Sequence, residues 1–170
     1  MPSVDALVAL VKGRSYTGEG MREIEILPAR RADIATIAEL SVEAFGEYAR
    51  DPHSHAHQLC ANPGAQTLLA RIAGRTVAFA VVSRFGPNAS LDAIAVVPKE
   101  RGTGLGKVIL QAAESIARRD GARFLSLVTA DSNLAALDLF LRSGYRVTSR
   151  QSRFYPRGQD AVKMVKPLTS

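Results

Sequence analysis

The sequence predicts a single domain of mixed α/β class, and three observations carry that expectation. Apolar residues recur alternately at strand spacing and at helix spacing from Met21 onward. The chain has 170 residues, 46% hydrophobic and 22% charged, enough for one full core. A Gly-rich turn, residues 102–106, stands where a strand pattern hands over to a helix pattern. Composition excludes collagen, coiled coil and low-complexity disorder. No apolar run reaches the roughly 18–20 residues of a membrane span.

Residues 1–20 read as an N-terminal extension, ending in Thr17-Gly18-Glu19-Gly20, before a domain over 21–170. Val4, Leu7, Leu10 and Val11 suit a short amphipathic helix, although an extended start explains them equally. The start lacks a basic segment and its apolar stretch, 6–11, is too short for a signal peptide, so a cytoplasmic location is expected. Ile24 and Ile26 mark a first strand closed by Pro28. Ile34, Ile37, Ala38, Leu40, Ala44 and Phe45 recur at helical spacing, which predicts a helix over 31–46. Residues 51–64 are polar and Pro-bounded, a loop with room for a short helix. Strands at 67–73 and 76–83 flank Gly74-Arg75, a hairpin signal, and a third strand over 90–97 stops at Pro98. A helix over 104–119 ends at Asp120-Gly121, and a buried strand follows at 123–129. Asp131 or Ser132 would cap a helix to Arg142 that Gly144 stops. Two last strands, 145–153 and 160–166, are joined through Pro156-Arg157-Gly158.

The net charge of +6 is unevenly placed. Through Leu141 there are 15 basic and 15 acidic side chains, so the whole excess lies in the last 29 residues. Such a segment favours an anionic partner, whether a nucleotide cofactor, an acidic peptide or RNA, or is a solvated basic edge.

The turn Arg101-Gly102-Thr103-Gly104-Leu105-Gly106-Lys107 lets backbone N–H groups converge at a helix N-terminus, where phosphate oxygens are natural guests. A Walker A loop fails, because Arg101 stands where its first Gly belongs and Val108 follows Lys107. The dinucleotide pattern fails because Gly102 and Gly104 are followed by Lys107. What remains, Arg-x-x-Gly-x-Gly after a strand, is weak alone and could be a structural turn. Residues 91–98 followed by Arg101 to Gly106 resemble the acetyl-CoA motif of the GNAT superfamily of N-acetyltransferases. Ser132-Asn133, Phe140 and Gly144-Tyr145 resemble the next motif of that family, in which a Ser-Asn pair opens a helix ending before Gly-Phe or Gly-Tyr. The element order matches from Met21 to the end, about 150 residues. Residues 153–161, with Phe154-Tyr155 and Asp160-Ala161, are similar to a hairpin of the protein N-terminal acetyltransferases, nearest to the bacterial enzymes acting on ribosomal proteins.

The resemblance implies a mainly antiparallel sheet flanked by helices, with two central strands splayed to admit acetyl-CoA. It implies direct acetyl transfer from the thioester to a primary amine, either a protein N-terminus or a small molecule such as an aminoglycoside or polyamine. The backbone of Ile94, Ala95 and Val96 would pair with the pantetheine amides. Gly102, Thr103, Gly104, Leu105, Gly106 and Lys107 would hold the pyrophosphate, Arg101 would brace that loop, and Asn133 would bond the cofactor's amide chain. Phe154 and Tyr155 would hold the substrate.

Acid and base depart from the family pattern. The ribosomal-protein enzymes carry a Glu where this chain has Val128, the histone-type branch carries one at Ser90, and the usual acid Tyr is Phe140. Asp92 is the nearest substitute base, sharing a strand face with Ser90 and Ile94 by alternation, with Glu43 and Glu47 as weaker candidates. A thiolate leaving group of pKa about 8.5 can depart without a dedicated acid, and Tyr145 or Tyr155 could compensate. A non-catalytic acyl-CoA sensor would show the same losses.

The single Cys60 excludes an intramolecular disulfide and a Cys-rich zinc site. His53, His55 and His57 alternate, but Pro52 argues for a solvated loop near the substrate mouth rather than a metal site. Aromatic content of 6% and the lack of any nucleic-acid motif argue against RNA. Arg150, Arg153 and Arg157 would instead line the mouth. No membrane partner is expected, and a homodimer is left open.

Overall fold

A computed structural model describes residues 12–17, 20–51, 54, 57, 58 and 61–168. Eight strands form one sheet in the order β1-β2-β3-β4-β5-β6-β8-β7. They are β1 (Lys12–Thr17), β2 (Gly20–Pro28), β3 (Ala65–Ile72), β4 (Arg75–Phe85), β5 (Asn88–Val96), β6 (Phe124–Ala130), β7 (Arg146–Gln151) and β8 (Ala161–Pro167). Every neighbouring pair is antiparallel except β5 and β6, which run parallel. Among the described residues, the helices α1 (Ile34–Phe45), α2 (Leu105–Arg119) and α3 (Leu134–Arg142) flank the sheet. The mixed, mainly antiparallel fold expected from the sequence is therefore present. No helix among the described residues is long and apolar enough to cross a membrane.

The two sheet faces bury different side chains because alternation sorts them. Ile37 of α1 packs with Leu69, Phe79, Val81, Ala93 and Ala95 on one face. Ile109, Leu110, Ala113 and Ile116 of α2 pack with Ala78, Ala80 and Val82 on the other. Burying each Ile, Leu, Val or Phe of these clusters contributes roughly 1.5–3 kcal/mol, so β4, buried on both faces from Val77 to Ser83, anchors the core.

Most element bounds shift by one to three residues from the sequence expectation, and three of the differences have a local cause. The first helix opens as a 3-10 turn, Arg31–Asp33, where the Asp33 carboxylate accepts from the Arg30 amide at 2.8 Å. The β3–β4 loop is Ala73-Gly74 rather than Gly74-Arg75, because Ile72 pairs with Arg75. Both loop residues have positive φ, 49° and 75°, the geometry that matches a two-residue hairpin to strand twist. The cap of α3 is Asn133, whose Oδ1 accepts from the Ala136 amide at 3.2 Å, instead of Asp131 or Ser132. Asp131 is occupied elsewhere, accepting from the Asp160 amide at 3.1 Å. Residues 12–17 pair with β2 as the edge strand of the sheet, while Val4, Leu7, Leu10 and Val11 lie outside the described residues.

A buried ion pair joins α2 to β8, with Lys166 Nζ 2.7 Å from Glu114 Oε2. Their side chains are only 23% and 6% exposed. Removing one partner strands a buried charge, so Lys166→Ala should lower the unfolding free energy by about 2–3 kcal/mol. Pairing Lys166→Met with Glu114→Gln should restore most of that loss in urea denaturation.

Candidate active site

The Gly-rich turn folds as its composition dictates. Gly102 and Gly104 have φ of 76° and 87°, the left-handed region that glycine enters without steric cost, and Gly104 is the N-cap of α2. Among the described residues no backbone carbonyl accepts from the amides of Gly102, Gly104, Leu105 or Gly106. The first helical bonds begin with the Lys107 and Val108 amides, which both reach Gly104 O. Free donors at a helix N-terminus are a geometry that suits an anion, and exposed Lys107 adds positive charge beside them. Two side chains hold the turn: Arg101 Nε donates to Val96 O at 3.0 Å, and Thr103 Oγ1 donates to Glu100 O at 2.7 Å. Gly106 has a packing role, since a Cβ there would meet Leu139 Cδ2 of α3 at 3.4 Å.

Beside this turn the sheet opens. β5 and β6 pair only through Ala89–Leu125, Ser90–Ser126 and Leu91–Leu127. Beyond Leu91 the strands part, and β5 from Asp92 to Val96 presents an unpaired edge, apart from the Val96 carbonyl taken by Arg101. On its other side β5 carries a bulge: Val82 pairs with Leu91 and Val81 with Ala93, leaving Asp92 as the extra residue. The bulge breaks alternation. Leu91 and Ile94 face α2, whereas Ala93 and Ala95 face α1. Asp92 therefore does not share a face with Ile94, as alternation alone would have it. It turns to the side of Ser83 and Ser90, and Ser83 Oγ donates to Asp92 Oδ2. Asn62 Nδ2 in turn donates to Ser83 Oγ at 3.3 Å.

A cleft of about 550 Å³ lies at this opening, within the range of small-ligand sites. Asp92, Val128 and Asn133 come from the parted strands and the cap of α3. Phe45 and Tyr48 form one wall, from the end of α1. Phe154 and Tyr155, from the β7–β8 hairpin, form the other. The walls meet edge to face, with Tyr48 and Tyr155 centroids 5.5 Å apart and Phe154 and Tyr155 5.0 Å apart. A backbone turn fixes the hairpin: Tyr155 N donates to Gln159 O at 3.1 Å and Gly158 N to Tyr155 O at 2.9 Å. Burial, and then the adjacent Tyr48, pushes the Tyr155 hydroxyl above the usual 10.0, so it stays protonated at neutral pH.

A free-donor turn, an unpaired strand edge and a cleft with a carboxylate together fit an anionic thioester carrier and an amine. The family model for the acetyltransferase (GNAT) family matches residues 34–145, a span holding the turn, the bulge and the cap of α3.

The chain belongs to the GNAT acetyltransferase family.

A Bacillus subtilis protein named as a ribosomal protein bS18-alanine N-acetyltransferase is 28% identical over 137 residues, 79% of this chain and 89% of that one. Streptothricin acetyltransferase from Streptomyces lavendulae is 30% identical over 100 residues, 55% of this chain and 53% of that one. Among solved structures, the Escherichia coli ribosomal-protein-S18-alanine N-acetyltransferase shares the fold with a TM-score of 0.77 at 23% identity, over 86% of this chain and 95% of that one. Salmonella typhimurium yncA, solved with its cofactor acetyl-CoA, gives a TM-score of 0.73 at 21% identity, over 86% of this chain and 95% of that one. The protein is thus an acetyltransferase, and acetyl-CoA is its co-substrate.

The acetyltransferase brings several residues singled out in the sequence to one place and leaves others apart. Asp92, Asn133, Phe154 and Tyr155 line the cleft, and residues 94–107 run from its parted strand into the turn. Tyr145 does not: it is 2% exposed and packs edge to face against Phe140, itself 3% exposed, in the core facing α2. Its burial and the nearby Glu114 carboxylate raise its pKa far above the ordinary tyrosine value, and it lines no part of the cleft. Glu43 is exposed, and exposed Glu47 pairs with Arg157 at 4.0 Å. Neither glutamate lines the cleft. Arg150, Arg153 and Arg157 do not line it either. Register pairs Arg150 with Val162, which places it on the α2 side of the sheet. Ser54 and Gln58 of the 51–64 stretch line the cleft and His57 is exposed, while His53, His55 and Cys60 lie outside the described residues. Tyr48, Ser83 and Asn62 were not foreseen. Nothing local marks them, because each gains its role only through a partner distant in the sequence.

Proposed function

We propose that the acetyltransferase modifies the α-amino group of a polypeptide, with Asp92 receiving the amine and Tyr155 assisting departure of the thiolate. One observation carries this reading: Asp92 stands in the same cleft as two aromatic walls, from α1 and from the β7–β8 hairpin, against which an extended chain can lie. The kinship with enzymes named for the alanine terminus of a ribosomal protein supports it. Resemblance to streptothricin acetyltransferase keeps a small-molecule amine as the second reading.

An α-amine has a pKa near 8 and arrives largely as ammonium at neutral pH. The Asp92 carboxylate attracts that cation and accepts its proton, directly or through water. Ser83 and Asn62 hold the carboxylate in a fixed rotamer. Bound acetyl-CoA supplies a thioester whose acyl carbon the freed amine attacks. The unpaired β5 amides offer donors for negative charge on the acyl oxygen, an arrangement worth about 3 kcal/mol in comparable sites. The protonated Tyr155 hydroxyl is the proton donor on the cleft wall, and Asn133, with Oδ1 committed to its cap, retains Nδ2 to bond a cofactor carbonyl.

Tyr155→Phe tests the hydroxyl without emptying the wall. Turnover should fall about 100-fold, the lower range for loss of a general acid, while acetyl-CoA affinity holds. Because the hydroxyl titrates above its ordinary value, the defect should persist up to about pH 10. An unchanged rate on an accepted peptide removes Tyr155 from the chemistry.

A further inference from the structure

Resting on the polypeptide-acceptor reading, we propose that the open sheet face outside the cleft seats the residues that follow the acetylated one and selects acidic and apolar side chains there. α1 covers this side of the sheet over β3, β4 and β5. Beyond it the β6–β8–β7 half remains accessible. Register aligns Val128 with Lys163 and Ser149 in one row, and Ser126 with Val165 and Arg146 in the next. Val128 is 49% exposed and Phe124, on the same face, is 41% exposed. Val128 also lines the cleft, so this strip is continuous with the place where the amine is received. At about 3.3 Å per residue, Val128 to Phe124 spans roughly 13 Å, the length of about four extended residues.

Charge decides what fits. Lys163 and Arg146 have no ion-pair partner among the described residues, and no carboxylate projects from the rows they occupy. Of the other cations of the C-terminal segment, Arg142 pairs with Asp138, Arg157 with Glu47 and Lys166 with Glu114, while Arg150 and Arg153 lie outside these rows. The unpaired cations thus flank an apolar strip leading out of an amine-receiving cleft. A second copy docking here by two-fold symmetry would set these cations against themselves. A segment carrying Asp or Glu beside aliphatic residues satisfies both the charge and the strip.

The test uses peptides that share their first two residues and carry acidic-apolar, neutral or basic-apolar residues at the next four. For each protein the readout is the ratio of kcat/KM on acidic to that on basic peptide, which does not depend on the fraction of enzyme folded. The wild type should favour the acidic series by about fivefold or more, from two exposed charge pairs, and the preference should fade as salt rises. The double variant Lys163→Glu, Arg146→Glu should invert it. Peptides acetylated with no charge preference, or a preference the double variant leaves intact, would overturn the surface proposal and leave the acceptor reading standing. No acetylation of any peptide would overturn both. A dimer that Phe124→Asp dissociates would give the face to a second copy and overturn the proposal as well.

Discussion

Gly104→Asp should abolish acetyl-CoA binding while leaving the fold intact. Gly104 occupies the N-cap of α2 at φ 87°, and a Cβ added there meets nothing within 4 Å. Space is therefore no obstacle. A left-handed conformation costs an ordinary L-residue roughly 1–2 kcal/mol, and Asp and Asn tolerate it best because their side chains bond locally. What Asp adds is a negative charge beside the amides of Gly102, Leu105 and Gly106, which no backbone carbonyl of the described residues takes. Two unit charges 4 Å apart interact by about 4 kcal/mol at the effective dielectric of a protein surface. Even after screening, the dissociation constant for acetyl-CoA should rise at least ~100-fold. Gly104→Asn carries the same backbone cost without the charge and should lose no more than about fivefold. Calorimetric titration of both variants, with thermal unfolding as the control, separates charge from strain. Equal affinities in the two would remove the pyrophosphate from this turn.

Asp92→Asn should lower kcat/KM about 100-fold at pH 7, the lower range for loss of a general base. The substitution keeps the shape and leaves a side-chain oxygen for the Ser83 hydroxyl, so the bulge of β5 is undisturbed. The sign of the pH dependence follows from the amine. Below its pKa of about 8 the acceptor is ammonium and must give up a proton, whereas above it the free amine already dominates. The defect should therefore shrink steadily between about pH 7 and pH 10. A loss of equal size at every pH would assign Asp92 to binding or structure alone, and no loss would remove it from the site.

These two positions also mark what the sequence could and could not disclose. Gly104 is legible because its requirement is local: glycines at the junction of a strand and a helix imply positive φ and free amides whatever the rest of the chain does. Asp92 is singled out by the sequence but assigned the wrong neighbour in Ile94. Alternation assigns its face from neighbours along the strand, whereas the bulge that turns it toward Ser83 arises from the pairing of β5 with β4. The same limit explains Arg150, whose side of the sheet depends on a register shift between Val147 and Ser149. Residues 131–133 hold three good capping types in a row, and the tie was broken by Asp160, which occupies the Asp131 carboxylate. Tyr48 lay beyond reach. It follows the last turn of α1 like any surface tyrosine, and acquires a role only when the hairpin brings Tyr155 against it. Phe140 and Tyr145 fit a family motif and a core spacing at once, and their burial facing α2 shows which of the two governs them.

The most direct measurement is release of CoA from acetyl-CoA with N-terminal peptides, polyamines and aminoglycosides as acceptors, followed by mass spectrometry of the product. Acetyl on the α-amine of a peptide, with turnover dependent on Asp92, is the expected result. Binding of acetyl-CoA without release of CoA for any acceptor, or turnover confined to the small-molecule amines, would contradict the assignment of a polypeptide acceptor.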